Sequence, residues 1–436
     1  MSQNVCQSLL DILADAGARD IFGVTGDALN SLLEEIRTDD RFRWIGVRHE
    51  EAAGYAAHAQ SQLTGGIGVC AGTTGPGALH LINGLYSAKK DGGAVVAITG
   101  QVPRAKRGSD FHKEVDLMKM FDDICDYQVA IETPAQMPRM AEIAVQKALN
   151  ERCVVRIEIA HDVIGNDLPS QHFRHPLVHS EPVVTPKPGE IERAAEILNA
   201  GKKVALFCGV GCRACPELVL ELAEKLQAPL VHTLRAKDIF DYGEGNVVGM
   251  TGLIGNPSGY HAIWDCDTLL MLGTDFPYDE FLPDGRPIIQ VDRDVSHIGR
   301  RVPVSLGLVG NVKETVEALL PRIDSPGSGH YLSHLVKLRD KWLVQMDEQA
   351  ALSRTDEPLH PQLFMKQVSD KASEDAFFAV DVGECTVWVA RQLRMKGARR
   401  MECSFNHSSL GAGLPLALGG AALDHARQVW AICGDG

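Results

Sequence analysis

The feature that most constrains the fold is a repeated pattern of short β-branched runs, each followed by glycine and then by a longer helical stretch. It recurs in DIFGVTGDALNSLLEEI, GIGVCAGTTGPGALHLINGLYSA and GAVVAITGQ. Strands that alternate with helices are typical of an α/β fold with a parallel sheet. Because Gly26, Gly75, Gly77 and Gly100 directly follow strands, we expect them at the carboxyl ends, where open parallel sheets build ligand sites.

The chain is too long, at 436 residues, for one hydrophobic core. Prolines accumulate near residue 180, in HSEPVVTPKPGE, which indicates a linker. A second α/β pattern follows in IERAAEILNAG, KVALFCGVG and PIIQVDRD, and a third unit opens with DAFFAVDVGECTVW. We therefore predict three doubly wound parallel-sheet domains, 1–180, 181–345 and 346–436. The third is expected to be incomplete, because it stops at a strand followed by GDG.

Charge and cysteine usage narrow the class of protein. The 43 basic and 57 acidic residues give a net charge of −14, which disfavours nucleic acid as a partner. The first twenty residues lack the basic and apolar blocks of a secretory signal, and the eleven cysteines are scattered and odd in number. We expect reduced thiols and a cytoplasmic protein.

A candidate acid lies in Arg48-His49-Glu50-Glu51-Ala52-Ala53, between a strand and an alanine-rich helix. Glu50 either stabilises the helix dipole or acts as a catalytic carboxylate, and the residues alone leave both readings open. The metalloprotease pattern H-E-x-x-H is excluded, because position 53 is alanine.

Two further local motifs are weak by themselves. The turn that contains Thr73 and Gly75 either permits close approach of a ligand or only needs a tight backbone conformation. The run Gly209-Val210-Gly211 lacks the third glycine of a dinucleotide fingerprint. A redox or metal role for Cys212 and Cys215 is disfavoured, since no second cysteine pair or histidine cluster completes a site.

Taken together, the motifs resemble those of the thiamine-diphosphate enzymes. The strings are VTGDALN, RHEEAA, CAGTTGPGALHLINGL, MTGLIG, LMLGTDFPY, DVGECTVW, SFNHSSLGAGLPLALG and CGDG. Within that superfamily the chain is most similar to the flavin-containing pyruvate oxidases, especially the quinone-dependent pyruvate dehydrogenases, in register from residue 1 to 436. The resemblance implies a pyrimidine-binding, a central flavin-binding and a diphosphate-binding domain, with active sites between two subunits.

The resemblance also implies residue roles for thiamine diphosphate. Glu50 matches the glutamate that hydrogen-bonds N1′ of the aminopyrimidine and so helps to remove a proton from the reactive carbon. Thr73, Gly75, Ser408 and Ser409 match cofactor contacts. Leu410 matches the apolar side chain that holds the cofactor bent, although a leucine that packs a helix on a sheet remains an alternative.

The last three residues match the start of the family's metal motif. Gly434, Asp435 and Gly436 would contact the cofactor, and Asp435 would bind Mg²⁺, a hard ion that suits oxygen ligands and phosphates. Because the motif is only begun, we expect the 436-residue polypeptide not to turn over pyruvate. Activity is expected of a full-length holoenzyme that completes the motif.

The middle domain matches flavin contacts, so the resemblance implies FAD. The matching residues are Thr251, Gly252, Leu253, Ile254, Thr274, Asp275, Phe276, Pro277, Tyr278 and Asp292.

The implied activity is oxidative decarboxylation of pyruvate to acetate and CO₂, with electrons passing through FAD to a quinone. Acetolactate synthesis, an O₂-dependent oxidase and a non-catalytic fragment remain alternatives. The resemblance also implies a homo-oligomer, a dimer of dimers, with peripheral contact to the inner face of the cell membrane through a more C-terminal segment.

Overall fold

The computed structural model describes residues 3–170, 174–241, 245–324, 329–351 and 359–434. The chain forms two compact units. The first comprises Met1–Glu181, Asp375–Cys385 and Glu402–Gly436, and the second comprises Pro182–Glu374 and Thr386–Met401. The three domain limits expected from the sequence stay a prediction.

Fifteen α-helices accompany the strands in the described residues. They are α1 Val5–Asp15, α2 Asn30–Thr38, α3 Glu50–Thr64, α4 Pro76–His80, α5 Ile82–Lys90, α6 Leu117–Met120, α7 Met137–Glu151, α8 Pro188–Ala200, α9 Pro216–Lys225, α10 Pro257–Trp264, α11 Val312–Leu319, α12 Gly329–Gln349, α13 Pro361–Lys371, α14 Glu384–Gln392 and α15 Gly413–Leu423. In this part of the chain, no helix combines the length and the apolar character that a membrane crossing needs.

The first sheet has six parallel strands in the order β2-β1-β3-β4-β6-β5. They are β1 Asp20–Gly23, β2 Arg43–Gly46, β3 Gly68–Gly72, β4 Val95–Gln101, β5 Tyr127–Ile131 and β6 Val154–Ala160. Alternate residues enter two cores, as Val96 and Ile98 lie in one and Val95 and Ala97 in the other. The sheet is therefore buried on both faces, as a parallel sheet requires.

The second sheet also has six parallel strands, in the order β12-β11-β10-β7-β8-β9. They are β7 Val204–Cys208, β8 Leu230–His232, β9 Val247–Met250, β10 Thr268–Leu272, β11 Ile288–Asp292 and β12 Leu306–Val309. Its side chains divide between two cores in the same way, with Leu270 in one and Leu269 in the other.

The third sheet is small, in the order β14-β13-β15. Its strands are β13 Phe377–Val380, β14 Arg400–Cys403 and β15 Val429–Ile432, and β13 and β15 are parallel. Three parallel α/β sheets confirm the fold class that the sequence predicts.

Local sequence explains where the helices nearest the first sheet begin. His49 is the extended N-cap of α3, and the acids Glu50 and Glu51 follow in the first turn, where negative charge stabilises a helix. Gly75 has φ 65° and ends the turn before α4, which Pro76 begins. Both helix starts lie just past strand ends, so their first residues face the carboxyl edge of the sheet.

Candidate active site

Each sheet has a point where the strand order reverses, and ligands of open α/β sheets bind in the crevice there. In the first sheet the reversal lies between β1 and β3, in the second between β7 and β10, and in the third between β13 and β15. The residues predicted from the sequence follow strands at or near these three points.

The crevice of the first sheet brings Glu50 to the glycine turn. A Cβ built on Gly77 would lie 2.9 Å from Glu50 Oε1 and 2.7 Å from Thr73 Cγ2, so the bare backbone of Gly77 fits between these side chains. A Cβ on Gly26, after β1, would lie 2.4 Å from Thr73 Cβ. Glu50 is only 6% exposed. Glu50 and Thr73 thus lie together beside the turn that Gly75 ends.

Glu50 has a partner that the sequence did not reveal. His80, the last residue of α4, places Nδ1 2.9 Å from Glu50 Oε2, where the ring N–H donates to the carboxylate. The ring of His80 also stacks on that of His49, with centroids 4.3 Å apart. The only signal in the sequence was a polar residue inside the apolar run ALHLINGL.

H-E-x-x-H stays excluded, but the structure places a second imidazole beside the acid from another segment. Ligand atoms of His49, Glu50 and His80 all lie within 4.8 Å of one another. The second imidazole comes from α4, across the sheet crevice, and therefore no H-E-x-x-H spacing announces it. Nδ1 of His49 accepts the Glu51 amide and Nδ1 of His80 binds Glu50, so we interpret the group as a hydrogen-bonded acid–base cluster.

The segment that contains Ser408 and Ser409 is hydrogen-bonded to the helices that follow β2 and β3 in the first unit. Asn83 Nδ2 donates to Ser409 Oγ at 2.9 Å and to Glu51 Oε1 at 2.7 Å. Ser408 has φ 55°, a left-handed conformation that is uncommon outside glycine. The structure thus brings Ser409 to Glu51, the neighbour of Glu50, and not to Glu50 itself.

Leu410 is 74% exposed, which excludes the alternative that it packs a helix on a sheet. Its position is set by Asp381 at the end of β13, which accepts the amide of Gly411 at 2.8 Å. Asp381 also pairs its own amide with Ile432 of β15, the strand that Gly434 follows. The Leu410 segment and Gly434 therefore share the reversal point of the third sheet. Asp435 and Gly436 lie outside the described residues.

The predicted flavin contacts gather at the carboxyl edge of the second sheet. Gly252, with φ 101°, follows β9, and a Cβ there would lie 2.9 Å from Phe276 Cζ. Phe276 follows β10 and makes edge contacts with the rings of Phe207 and Tyr278. Phe276 therefore joins the two predicted segments, 251–254 and 274–278, into one surface.

This surface offers polar groups as well as apolar ones. Thr251 Oγ1 is buried and has no hydrogen-bond partner among the described residues. Leu253, Pro277 and Tyr278 are exposed, Ile254 is half-buried, and Thr274 is buried beside Gly209. A buried hydroxyl without a partner is costly, so it fits a site that a ligand completes.

Two arginines extend the surface in a way that the sequence did not reveal. Arg300 and Arg301 both bind the carboxylate of Asp275. Burial alone would raise the pKa of Asp275, but hydrogen bonds from the two guanidinium groups lower it. Asp292, at the end of β11, is held by the amide of Asp294. The carboxylates and the guanidinium groups suit a ligand with hydroxyl and phosphate groups.

Two weak motifs of the second unit have structural explanations. A Cβ on Gly209 would lie 2.2 Å from the Gly273 carbonyl oxygen, so its glycine is needed where two loops cross. Cys212 and Cys215 are free and buried, and burial raises the pKa of Cys215 to about 12. That thiol stays protonated at neutral pH, which argues against a metal or redox site.

Comparison with known proteins identifies the class that this fold and site define. Residues 3–120 match the thiamine pyrophosphate enzyme N-terminal TPP binding domain, residues 191–319 the central domain, and residues 381–436 the C-terminal TPP binding domain. The chain belongs to the thiamine pyrophosphate enzyme family.

Individual relatives cover nearly the whole chain. A Bacillus subtilis protein named "Putative thiamine pyrophosphate-containing protein YdaP" is 34% identical over 99% of this chain and 75% of its own length. Pyruvate oxidase of Lactiplantibacillus plantarum is 26% identical over 98% and 72%, and acetolactate synthase of Mycobacterium bovis is 30% identical over 99% and 71%.

The glycine turn gives a direct test of the site geometry. Gly77→Ala should push the Glu50 carboxylate or Thr73 aside, and we expect about 10²-fold lower turnover, the cost of misplacing a reacting group by roughly 1 Å. Gly189→Ala is the matched control, because a Cβ there meets nothing within 4 Å. Steady-state assays of both variants, with thiamine diphosphate titrations, measure the difference. Equal activity of Gly77→Ala and the control would show that the turn does not touch the site.

Proposed function

We propose that the protein carries out oxidative decarboxylation of pyruvate to acetate and CO₂, with electrons passing through FAD to a quinone. The observation that carries the oxidative part is the surface around Thr251 and Phe276. There, a buried hydroxyl without a protein partner lies at the carboxyl edge of the second sheet among the residues expected to contact flavin. The similarity to pyruvate oxidase supports the choice of substrate.

The residues of the first unit fit thiamine diphosphate. Glu50 would hold the aminopyrimidine through Oε1, because Oε2 is engaged by His80. The bare backbone of Gly77 lets Glu50 and Thr73 lie side by side at the turn, where both would contact the cofactor. When bound, thiamine diphosphate would supply a carbon acid whose conjugate base, after loss of the proton, adds to the 2-oxo group, and FAD would supply the acceptor for two electrons.

The chain's own residues then have three tasks. Glu50 exchanges a proton with the aminopyrimidine ring nitrogen. His80 keeps the carboxylate in one orientation, since its ring N–H donates to Oε2. Leu410, exposed on the segment that Asp381 positions, would support the cofactor rings. Mg²⁺ held by Asp435 belongs to the same proposal.

The quinone, peripheral membrane contact and assembly as a dimer of dimers are proposed from the resemblance. A cytoplasmic location is proposed from the eleven scattered cysteines, which suit reduced thiols. Exposed Leu410 and Leu414, 74% and 67% accessible within this chain, are compatible with a partner subunit that covers them.

Acetolactate synthesis is the second candidate, because a 30% identical relative carries that name. Flavin reduction separates the two. We expect a yellow holoenzyme whose flavin bleaches when pyruvate, thiamine diphosphate and Mg²⁺ are added without oxygen, as the absorbance near 450 nm, roughly the flavin band, records. Samples without thiamine diphosphate are the control and should stay yellow.

The outcomes are distinct. A flavin that stays oxidised while acetolactate accumulates would contradict the proposal and favour the synthase. If the flavin bleaches and is then reoxidised faster by O₂ than by a quinone, the proposed decarboxylation would stand. The electron acceptor would then be O₂ instead of a quinone.

A further inference from the structure

A hydrogen-bonded loop lies beside the crevice of the first sheet. Residues 108–116 form the later part of the connection from β4 to α6, and the Glu114 carboxylate accepts the amides of Gly108 and Phe111. The Glu114 amide in turn donates to the Phe111 carbonyl at 2.7 Å. Two non-glycine residues of this loop, Asp110 and Lys113, have φ values of 54° and 65°. Left-handed backbone at such residues is held by its surroundings and clusters at functional sites.

The strained Lys113 spans the crevice. A Cβ on Gly75, after β3, would lie 2.6 Å from the Lys113 carbonyl oxygen, so the glycine lets the loop approach. The ammonium Nζ of Lys113 lies 3.3 Å from Oδ1 of Asp27, which follows β1. Asp27 is also 3.5 Å from Thr73 Oγ1. A chain of direct neighbours therefore leads from Lys113 through Asp27 and Thr73 to Gly77, which borders Glu50.

The charges of this group suit an anionic substrate. A 2-oxo acid brings a carboxylate to a crevice that already contains Glu50 and Asp27, so a cation is needed to offset the repulsion. Burial would raise the pKa of Asp27, but the hydrogen bond and charge of Lys113 lower it, which keeps Asp27 ionised. An ammonium has three donors, and Asp27 occupies one of them.

We propose that Lys113 binds the carboxylate of the 2-oxo acid and that Asp27 holds the ammonium group in place for it. Lys113 would then be a specificity-determining residue, selecting anionic substrates, and not a group that transfers protons. This inference rests on the proposed decarboxylation and names the side chain that recognises its substrate class.

The test compares substitutions at Lys113 in the holoenzyme. Lys113→Gln removes the charge, Lys113→Gly removes it and also suits the left-handed backbone, and Lys113→Arg keeps it. Lys106→Gln is the matched control, since Lys106 lies in the neighbouring turn with its Nζ over the Phe111 ring. Carbon dioxide release is measured against pyruvate concentration, and thiamine diphosphate binding is measured by calorimetry.

We expect both neutral variants to raise KM for pyruvate by about 10- to 100-fold, the range for losing a charge-assisted hydrogen bond. Their kcat and cofactor affinity should stay within about threefold of the wild type. The reason is that the lost contact would bind the substrate carboxylate equally in the ground state and in the transition state. Lys113→Arg should retain most of the affinity, and Lys106→Gln should behave as wild type.

A KM unchanged in Lys113→Gly overturns the inference, whether or not Lys113→Gln folds. Equal loss of cofactor binding in the neutral variants and in Lys113→Arg would also overturn it, because Lys113 would then only hold the loop in place. If the wild-type holoenzyme released no CO₂ from pyruvate, the proposed function itself would fail, which is a separate result.

Discussion

Glu50→Gln is expected to lower turnover of the 2-oxo acid by about 10²–10⁴-fold, the range for loss of a positioned acid–base group. Glutamine keeps the size of the side chain at the start of α3 and its carbonyl oxygen can still accept from His80. It cannot exchange a proton with the aminopyrimidine nitrogen. The loss should therefore fall on kcat, with the fold retained.

Glu51→Gln is the control for this substitution. Glu51 is the next residue of α3, and its Oε1 accepts a hydrogen bond from Asn83, which a glutamine oxygen can also do. Steady-state kinetics, with thermal unfolding of each variant, separate the two positions. Turnover of Glu50→Gln within about threefold of the control would remove Glu50 from the chemistry.

Arg156→Ala is expected to lower the free energy of unfolding of the first unit by about 3–5 kcal/mol, the cost of breaking a buried ion pair. The guanidinium of Arg156 is fully buried on β6, donates to Thr99 Oγ1 and to Glu158 Oε2, and lies 4.9 Å from the Phe121 ring centroid. Without it, Glu158, which is 2% exposed, keeps only Arg107 as a charged partner among the described residues.

The exposed pair of Arg37 and Glu34 provides the comparison. Their side chains are 68% and 61% accessible, and Arg37→Ala should leave the free energy of unfolding nearly unchanged, because solvent screens an exposed ion pair. Urea denaturation followed by tryptophan fluorescence and by circular dichroism measures both variants, and the two units should be fitted as separate transitions. A loss for Arg156→Ala as small as that for Arg37→Ala would mean that the buried network does not stabilise the fold.

Local patterns were enough to predict the parallel α/β fold class and the glycine turns, whereas the cofactor-binding residues stay a prediction. Gly26, Gly75 and Gly77 follow strands in the sequence and do lie at carboxyl ends in the structure. The strand order, and with it the three reversal points, depends on which strands pair. That pairing is a long-range property that short sequence windows do not contain.

Several residues of the site could not be predicted from the sequence for the same reason. His80 reaches Glu50 across 30 positions, Lys113 reaches Asp27 across 86, and Arg300 reaches Asp275 across 25. Each is an ordinary polar residue in its own segment. Leu410 differs, because its exposure distinguishes two alternatives. A leucine that packs a helix on a sheet would be buried, whereas this side chain is 74% exposed.

The release of CO₂ from carboxyl-labelled pyruvate tests the central claim most directly. The holoenzyme is assayed with an artificial electron acceptor before and after removal of thiamine diphosphate and Mg²⁺. We predict release that disappears on removal, returns when both are restored, and is lost in Glu50→Gln. Release that continues without thiamine diphosphate, or pyruvate left intact by a holoenzyme that has bound it, would contradict the account.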